Sequence, residues 1–375
     1  MKISVPEFEK RVSSGIIRKF AHPTQPLVGW CYTQKCQYDQ LWDEQTIQAR
    51  GIVTTPDGSV VSRPFPKFFN LTEKEAEPVP WADTIEITEK IDGSLIIVSF
   101  HNGEMVVNSK GSFTSEYAEF ARSWLQENVP GWVSEGIRGS DKNAYTYLFE
   151  AVFPPTNQNE MKVINYGNRR DLTLLAVVEV ATGKEYSYPQ VADVATKHGF
   201  PVAPRYEFSD ISDIGALITR CRARETVDDG EGVVLHFVET GKRVKVKSDV
   251  YLRLHKLISK ANRRNILTML MKGDNIEAIY AQLPDEVFTE VKKWITEYRD
   301  AFAEIRASVL DEIPNLQEMA SRREQALYIT QNPGLSEIKG LVFAALDRAD
   351  LTPGIWGVIR KRAVGLNDEK QIIED

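Results

Sequence analysis

From about residue 50 to 250 one pattern recurs along the chain: short runs of β-branched and aromatic residues, apolar and polar in alternation, broken by pairs of turn-forming residues. Asp57-Gly58, Asn102-Gly103, Thr182-Gly183 and Thr240-Gly241 are such pairs, each offering a glycine where a tight hairpin demands positive φ. They predict four hairpins. Beyond residue 255 the period becomes helical. Val287, Val291, Trp294, Tyr298, Ile305 and Val309 recur at steps of three, four or seven, an apolar stripe on a helix of about 25 residues that should end before Pro314. Further helices are predicted over 261–283, 316–331, 335–349 and 353–365, the last with Thr352 as cap and Pro353 in its first turn. Residues 112–128 also read as a helix, with Tyr117, Phe120, Ala121 and Trp124 on one face. The first 44 residues show no clear period, and their Trp30, Tyr32, Tyr38 and Trp42 read more readily as packing than as base-stacking rings. The expected fold is α+β: an antiparallel β-rich domain over 1–254, then an all-helical domain over 255–375.

Composition narrows the function. The 375 residues hold 46 Lys and Arg against 53 Asp and Glu, a net charge of −7, which excludes a protein coated in basic charge for non-specific nucleic-acid packaging. A local basic groove remains open. Neither a secretory signal nor an apolar run long enough to span a membrane is visible, so a cytoplasmic monomer is expected. Cys31, Cys36 and Cys221 form no C-x-x-C pair and the five histidines do not join them, so reduced thiols and no structural zinc are expected. There is no P-loop, no G-x-G-x-x-G after a strand and no H-E-x-x-H.

Folding the hairpins on paper shows where the charges go. A two-residue turn at Asn102-Gly103 pairs Phe100 with Met105 and Leu95 with Lys110. A two-residue turn at Thr240-Gly241 pairs Val234 with Lys247 and His236 with Lys245, with both lysines on one face and Glu231 just beyond. The Asp57-Gly58 hairpin carries Arg50 and Arg63 toward its open end, with Lys67 beyond. Three hairpins thus collect cations away from their turns. Cations for phosphate oxygens, with carboxylates for a metal and ribose hydroxyls, are the requirements of a nucleoside triphosphate site.

Glu89-Lys90-Ile91-Asp92-Gly93-Ser94 falls between the runs Thr84-Ile85-Glu86-Ile87 and Leu95-Ile96-Ile97-Val98, which places Lys90 in a short loop between strands. The string resembles the K-x-D-G signature of covalent nucleotidyltransferases, the ATP-dependent ligases and messenger RNA capping enzymes. The segments around Glu150, Leu174-Leu175-Ala176-Val177, Glu231-Gly232-Val233-Val234 and Lys245-Val246-Lys247 resemble the later motifs in order. Arg50-Gly51-Ile52, Lys67-Phe68-Phe69-Asn70, Ser109-Lys110-Gly111-Ser112 and Lys247-Ser248-Asp249 with Tyr251 are most similar to the bacteriophage T4 RNA ligase 1 family. The likeness covers roughly residues 45–255.

The resemblance implies that Lys90 attacks the α-phosphorus of ATP, expels pyrophosphate and carries AMP as a phosphoramide. An unperturbed lysine, with a pKa of about 10.4, is protonated at neutral pH, so Lys245, Lys247 and Mg²⁺ or Mn²⁺ are expected to lower the Lys90 pKa by like-charge repulsion. The resemblance also implies Glu231 as a metal carboxylate and Glu150 as a metal or ribose contact. Arg50, Lys67 and Lys110 would hold phosphates, and Phe69, Glu89 and Tyr251 would lie near the nucleotide. Asp92 reads as a brace for the Gly93 turn. The implied partner is single-stranded RNA or tRNA ends. A DNA ligase or capping enzyme would share these motifs but usually adds an OB domain, five short strands where 255–375 reads as helices. A non-catalytic RNA-binding module with a degenerate site is the third reading, weakened because every charged motif position is filled. Between 242 and 264, nine Lys or Arg face one acid, Asp249, so Lys256, Lys260, Arg263 and Arg264 are candidates for an RNA backbone track.

Overall fold

The computed structural model describes residues 2–138, 144–153, 163–209, 211–280 and 285–364. The described residues of Met1–Pro155 and Ile164–Leu252 form one compact unit, and those of Arg253–Ile373 a second.

The first unit holds thirteen strands among its described residues: β1 Ile17–Ala21, β2 Val28–Tyr32, β3 Arg50–Thr54, β4 Val60–Ser62, β5 Phe69–Asn70, β6 Ile85–Lys90, β7 Ser94–His101, β8 Glu104–Ser109, β9 Tyr145–Val152, β10 Asp171–Glu179, β11 Arg205–Tyr206, β12 Gly232–Phe237 and β13 Lys242–Lys247. They make three sheets, in the orders β1-β2-β3-β4, β10-β9-β7-β8 and β11-β6-β12-β13-β5. All pairings are antiparallel except β13 with β5. The fold is α+β, as its alternating half and its helical half predict.

Alternation decides what each face carries. On the back of the five-stranded sheet, Ile85 and Ile87 of β6, Val233, Leu235 and Phe237 of β12, and Val244 and Val246 of β13 pack with Ile214, Leu217 and Cys221 of the helix Ile211–Arg222. The intervening residues Glu86, Thr88, Lys90, Val234, His236, Arg243, Lys245 and Lys247 therefore share the front. There Phe65 and Phe68 fill the space toward Ile97 and Leu148 of the β10-β9-β7-β8 sheet, with Arg243 over the Phe65 ring at 4.4 Å. The far side of that second sheet packs Phe100 and Phe149 on Trp132 and Phe200, an aromatic cluster under the helices Glu116–Asn128 and Pro130–Ile137.

Several expectations are corrected. The β7–β8 hairpin keeps its register, Phe100 opposite Met105, because Asn102 and Gly103 both take positive φ; the ladder ends at Ile96 and Ser109, and Leu95 instead pairs with Glu150 of β9. The β12–β13 register is shifted by two, with Gly232 opposite Lys247 and Val234 opposite Lys245, because the connection is the loop Val238–Gly241 rather than two residues. Glu239 is drawn into that loop by Thr84, whose backbone N–H and hydroxyl both donate to its carboxylate at 2.6 Å. A two-residue shift preserves the face, so Lys245 and Lys247 still point the same way. The unread N-terminus supplies the helix Val5–Ser13 and strands β1 and β2, and two further helices, Tyr188–His198 and Ile211–Arg222, interrupt the β-rich stretch.

The second unit is helical throughout its described residues. Its long helix, Asp285–Gln317, runs through Pro314 instead of ending before it. Pro314 falls in the last turn, where it forfeits one backbone hydrogen bond, and the fully buried Val309 and Leu316 hold the helix on either side. Val291, Trp294, Tyr298 and Ile305 of the expected stripe are buried; the side chain of Val287 lies outside the description. The 261–283 helix divides into Arg263–Lys272 and Ile276–Tyr280 at the left-handed Gly273 cap. After the long helix come Arg322–Gln331, Lys339–Leu346 and Thr352–Val364; in the first unit the expected 112–128 helix starts at Glu116 after the Ser115 cap. No helix among the described residues is long and apolar enough to cross a membrane.

Candidate active site

Strand pairing brings the charged motif residues together. Gly232 lies between Lys90 of β6 and Lys247 of β13, so Glu231, at the start of the central strand, reaches both neighbours. The Lys90 Nζ donates to Glu231 Oε2 at 2.7 Å, and the Lys247 Nζ lies 3.1 Å from Glu231 Oε1. The Glu231 side chain is 1% exposed, against 22% for Lys90 and 8% for Lys247. Lys90 is thus the last residue of a strand, not a loop residue. Gly232 must lack a side chain, since a Cβ would meet Val246 O at 2.0 Å.

Three more groups complete this cluster. Glu150, on β9, accepts the Gly93 N–H at 3.1 Å, so Glu150 braces the turn after Lys90. Asp92 is itself held, its N–H donating to the Tyr166 hydroxyl at 2.9 Å and its Oδ1 accepting from the Tyr251 hydroxyl at 3.1 Å. Tyr251 also places its ring 5.0 Å from the Lys247 ammonium.

The electrostatics differ from the sequence expectation. Burial would lower the Lys90 pKa, but Glu231 and Glu150 outweigh it and hold the ammonium above its ordinary value. Burial raises Glu150 to about 7. Burial also opposes ionisation of Glu231, yet Lys90 and Lys247 keep its carboxyl below the usual range. Without substrate, Lys90 is therefore the protonated half of a buried ion pair, whereas neighbouring cations alone were expected to lower its pKa.

The other expected cations approach on aromatic faces. Lys67 lies over Tyr32, Trp42 and Phe69 at 5.6, 5.1 and 5.5 Å, and Lys110 shares Tyr32 at 5.4 Å. Arg50 and Lys245 share Phe68, at 5.3 and 5.9 Å. A ring face steadies a cation without cancelling its charge. The Arg50 Nη1 is buried without a hydrogen-bond partner among the described residues. Phe69 itself belongs to the core behind the sheet.

One expected contact does not converge here. The side chain of Glu89 leaves on the opposite face of β6 from Lys90, toward Arg224 and Tyr206. Within the second unit Lys256, Lys260, Arg263 and Arg264 are all exposed, and Arg263 also pairs with Glu297 at 2.7 Å and lies over Trp294. Sequence reasoning named Phe68 only as part of the Lys67-Phe68-Phe69-Asn70 string, with no role of its own, and passed over Tyr166. Phe68 was legible, since strand alternation beside Phe69 points it to the other face.

Among the described residues no three His, Cys, Asp or Glu side chains converge to hold a metal ion. Glu231 and Glu150 instead fit a hydrated divalent cation that arrives with phosphates and takes one or two protein carboxylates.

The family profile described as RNA ligase, of the T4 RNA ligase 1 type, matches residues 48–251, the stretch that carries every member of this cluster. The chain belongs to the T4 RNA ligase 1 family. It is 26% identical over 276 residues to an Autographa californica nuclear polyhedrosis virus protein named as a candidate bifunctional polynucleotide kinase/RNA ligase, covering 68% of this chain and 37% of that one. It is 26% identical over 218 residues to a candidate RNA ligase of Thermovibrio ammonificans, covering 56% and 53%. The chain thus spans about a third to a half of these curated relatives. Among solved structures, a candidate ATP-dependent DNA ligase from Aquifex aeolicus is similar over 78% of this chain and 71% of that one, with 16% identity and a TM-score of 0.48. An archaeal ATP-dependent RNA ligase is similar over 80% of each chain, with 12% identity and a TM-score of 0.48.

Proposed function

We propose that this member of the RNA ligase family is an ATP-dependent enzyme that joins 5′-phosphate and 3′-hydroxyl ends of single-stranded RNA through a lysyl-AMP intermediate on Lys90. The observation that carries this reading is the buried Lys90–Glu231–Lys247 cluster, with Glu150 beside it, inside the segment that matches the family.

In the first step the Lys90 Nζ forms a bond to the α-phosphorus of ATP as the bond to pyrophosphate breaks. The amine must first lose its proton to water, and weakening the Lys90–Glu231 pair favours this, because burial and the like charge of Lys247 then lower the Lys90 pKa. Lys245, Lys247 and Arg50 would stabilise the charge on the phosphoryl oxygens and the departing pyrophosphate. A divalent cation, Mg²⁺ or Mn²⁺, would supply further charge neutralisation there, with Glu231 and Glu150 as the residues that would hold it. AMP then passes from Lys90 to an RNA 5′-phosphate, and a 3′-hydroxyl displaces AMP to close the phosphodiester. In-line displacement at phosphorus relies on positioning and charge, so it needs no histidine.

The exposed Lys256, Lys260 and Arg264 are proposed RNA-backbone contacts, and tRNA repair is the proposed setting. Incubation with α-labelled ATP and a divalent cation should label wild type covalently and Lys90→Ala not at all. Equal labelling of both would sink the assignment of Lys90. Sealing of 5′-phosphorylated single-stranded RNA should exceed sealing of nicked duplex DNA; activity on the nick alone would make the chain a DNA ligase.

A further inference from the structure

Glu89 and Lys90 are adjacent in sequence and diverge in space. Behind the sheet, the Glu89 carboxylate meets a fork: Arg224 Nη1 donates to Oε1 at 2.9 Å and Arg224 Nη2 to Oε2 at 2.8 Å. The Tyr206 hydroxyl also donates to Oε2, and Arg224 Nη2 donates to the Tyr206 oxygen at 2.9 Å. Burial and the hydrogen bond to Glu89 push the Tyr206 hydroxyl up to about 12, so it remains a donor at neutral pH. The Arg224 and Glu89 side chains are 12% and 15% exposed, so this is a partly desolvated, bidentate pair rather than a surface contact.

The clamp joins two segments that each deliver one half of the cluster on the front. Glu89 directly precedes Lys90. Arg224 lies seven residues before Glu231, and the intervening chain packs on the pair: Gly230 has φ +100°, and a Cβ there would lie 2.2 Å from Glu89 Oε1 and 3.0 Å from Arg224 Nη1. The Thr226 N–H and hydroxyl bind Asp229 Oδ2, each at 3.2 Å, which closes the turn leading into Gly230. On the other side the Glu89 N–H donates to Pro204 O at 2.8 Å, beside Tyr206. Both halves of the Lys90–Glu231 pair therefore hang from a single guanidinium on the far face of the sheet.

We propose that Arg224 is a positioning residue for the adenylylation step: by clamping Glu89 against Gly230 and Tyr206, it sets the height of Lys90 relative to Glu231. The inference rests on the reading of Lys90 as the nucleophile. Arg224 lies behind the sheet and touches no reacting atom, so its loss should act on the rate of phosphoryl transfer more than on ATP binding. A displacement of about 1 Å at a reacting group costs on the order of 10²-fold.

The test is single-turnover formation of lysyl-AMP from α-labelled ATP across an ATP titration, with thermal unfolding recorded in parallel. In Arg224→Ala the rate at saturating ATP should fall about 10- to 100-fold while the ATP concentration for half-maximal rate moves by less than about 3-fold. Arg224→Lys, which keeps the charge and loses the fork, should fall between Arg224→Ala and wild type. Glu89→Gln, which keeps the shape and loses the charge, should reproduce the rate loss and serves if Arg224→Ala does not fold. A folded Arg224→Ala or Glu89→Gln with the wild-type rate would overturn the proposal, as would a loss that merely tracks a lowered unfolding temperature and a weakened ATP dependence. Lys90→Ala separates the two failures: if it labels like wild type, the nucleophile is wrong; if it is silent while Arg224→Ala is unaffected, only the clamp is wrong.

Discussion

The front of the five-stranded sheet carries buried charges at both ends, and the two ends are built differently. At one end Lys90 and Lys247 share Glu231, with Arg50 and Lys245 nearby on Phe68. Four strand residues away, Arg243 contacts Glu185 at 2.5 Å, while His236 lies 3.3 Å from Glu86 and 4.0 Å from Glu185. There two carboxylates answer one guanidinium and one imidazole. The first end gathers the motif lysines around one shared carboxylate, whereas the second pairs its carboxylates with a guanidinium and an imidazole. The first is therefore expected to act in the reaction and the second to hold the sheets together.

The largest effect should come from Glu231→Gln, which removes the carboxylate that both lysines share. Lysyl-AMP formation should fall by about 10²- to 10³-fold in a single-turnover labelling assay, and an unchanged rate would show that the chemistry lies elsewhere. Arg243→Met should behave in the opposite way. Leaving Glu185, whose side chain is 8% exposed, without its partner should cost about 3 kcal/mol in urea unfolding. Labelling per folded molecule should stay within about 3-fold of wild type; a 100-fold loss with stability intact would erase the contrast between the ends.

A smaller effect concerns acid. Burial alone would raise the Glu86 pKa, but His236 and the Tyr188 N–H, which donates at 2.9 Å, hold it below the ordinary value. The folded state thus binds fewer protons than the unfolded one, so Glu86 adds stability that is present above the ordinary carboxylate range and lost as pH falls through the depressed value. His236→Leu should move the midpoint of acid unfolding upward, and an unmoved midpoint would detach His236 from Glu86. The smallest effect is expected for Phe68→Leu, which takes the ring face from Arg50 and Lys245 together. The KM for ATP should rise about 2- to 5-fold with kcat nearly constant; a fall in kcat alone would place Phe68 in the transfer step.

Much of this was legible before the structure. Lys90, Glu150, Glu231, Lys245 and Lys247 stand in motif strings, and Asn102-Gly103 set the β7–β8 register because two consecutive positive-φ residues make a self-sufficient turn. Thr240-Gly241 misled because Asp83 and Thr84, in the segment just before β6 and about 155 residues away in sequence, hold the loop through Glu239 and the Thr240 N–H. The N-terminal strands were unreadable because β1 alternates weakly and β2 is buried along most of its length, so neither shows a clean period. Pro314 misled because a local rule about helix ends yielded to the packing of Val309 and Leu316.

Sequence alone determined the chemistry available: an amine in a K-x-D-G string, carboxylates and lysines at motif spacing, and a change from two-residue to helical periodicity near residue 255. Only the tertiary structure decided partnership. Glu89 and Lys90 differ by one position, yet the pleat of β6 sends one carboxylate back to Arg224 and the ammonium forward to Glu231. The residue types set which charges could pair, but each contact spans more than a hundred residues, and only the stacking of β6, β12 and β13 brings those partners within hydrogen-bond reach.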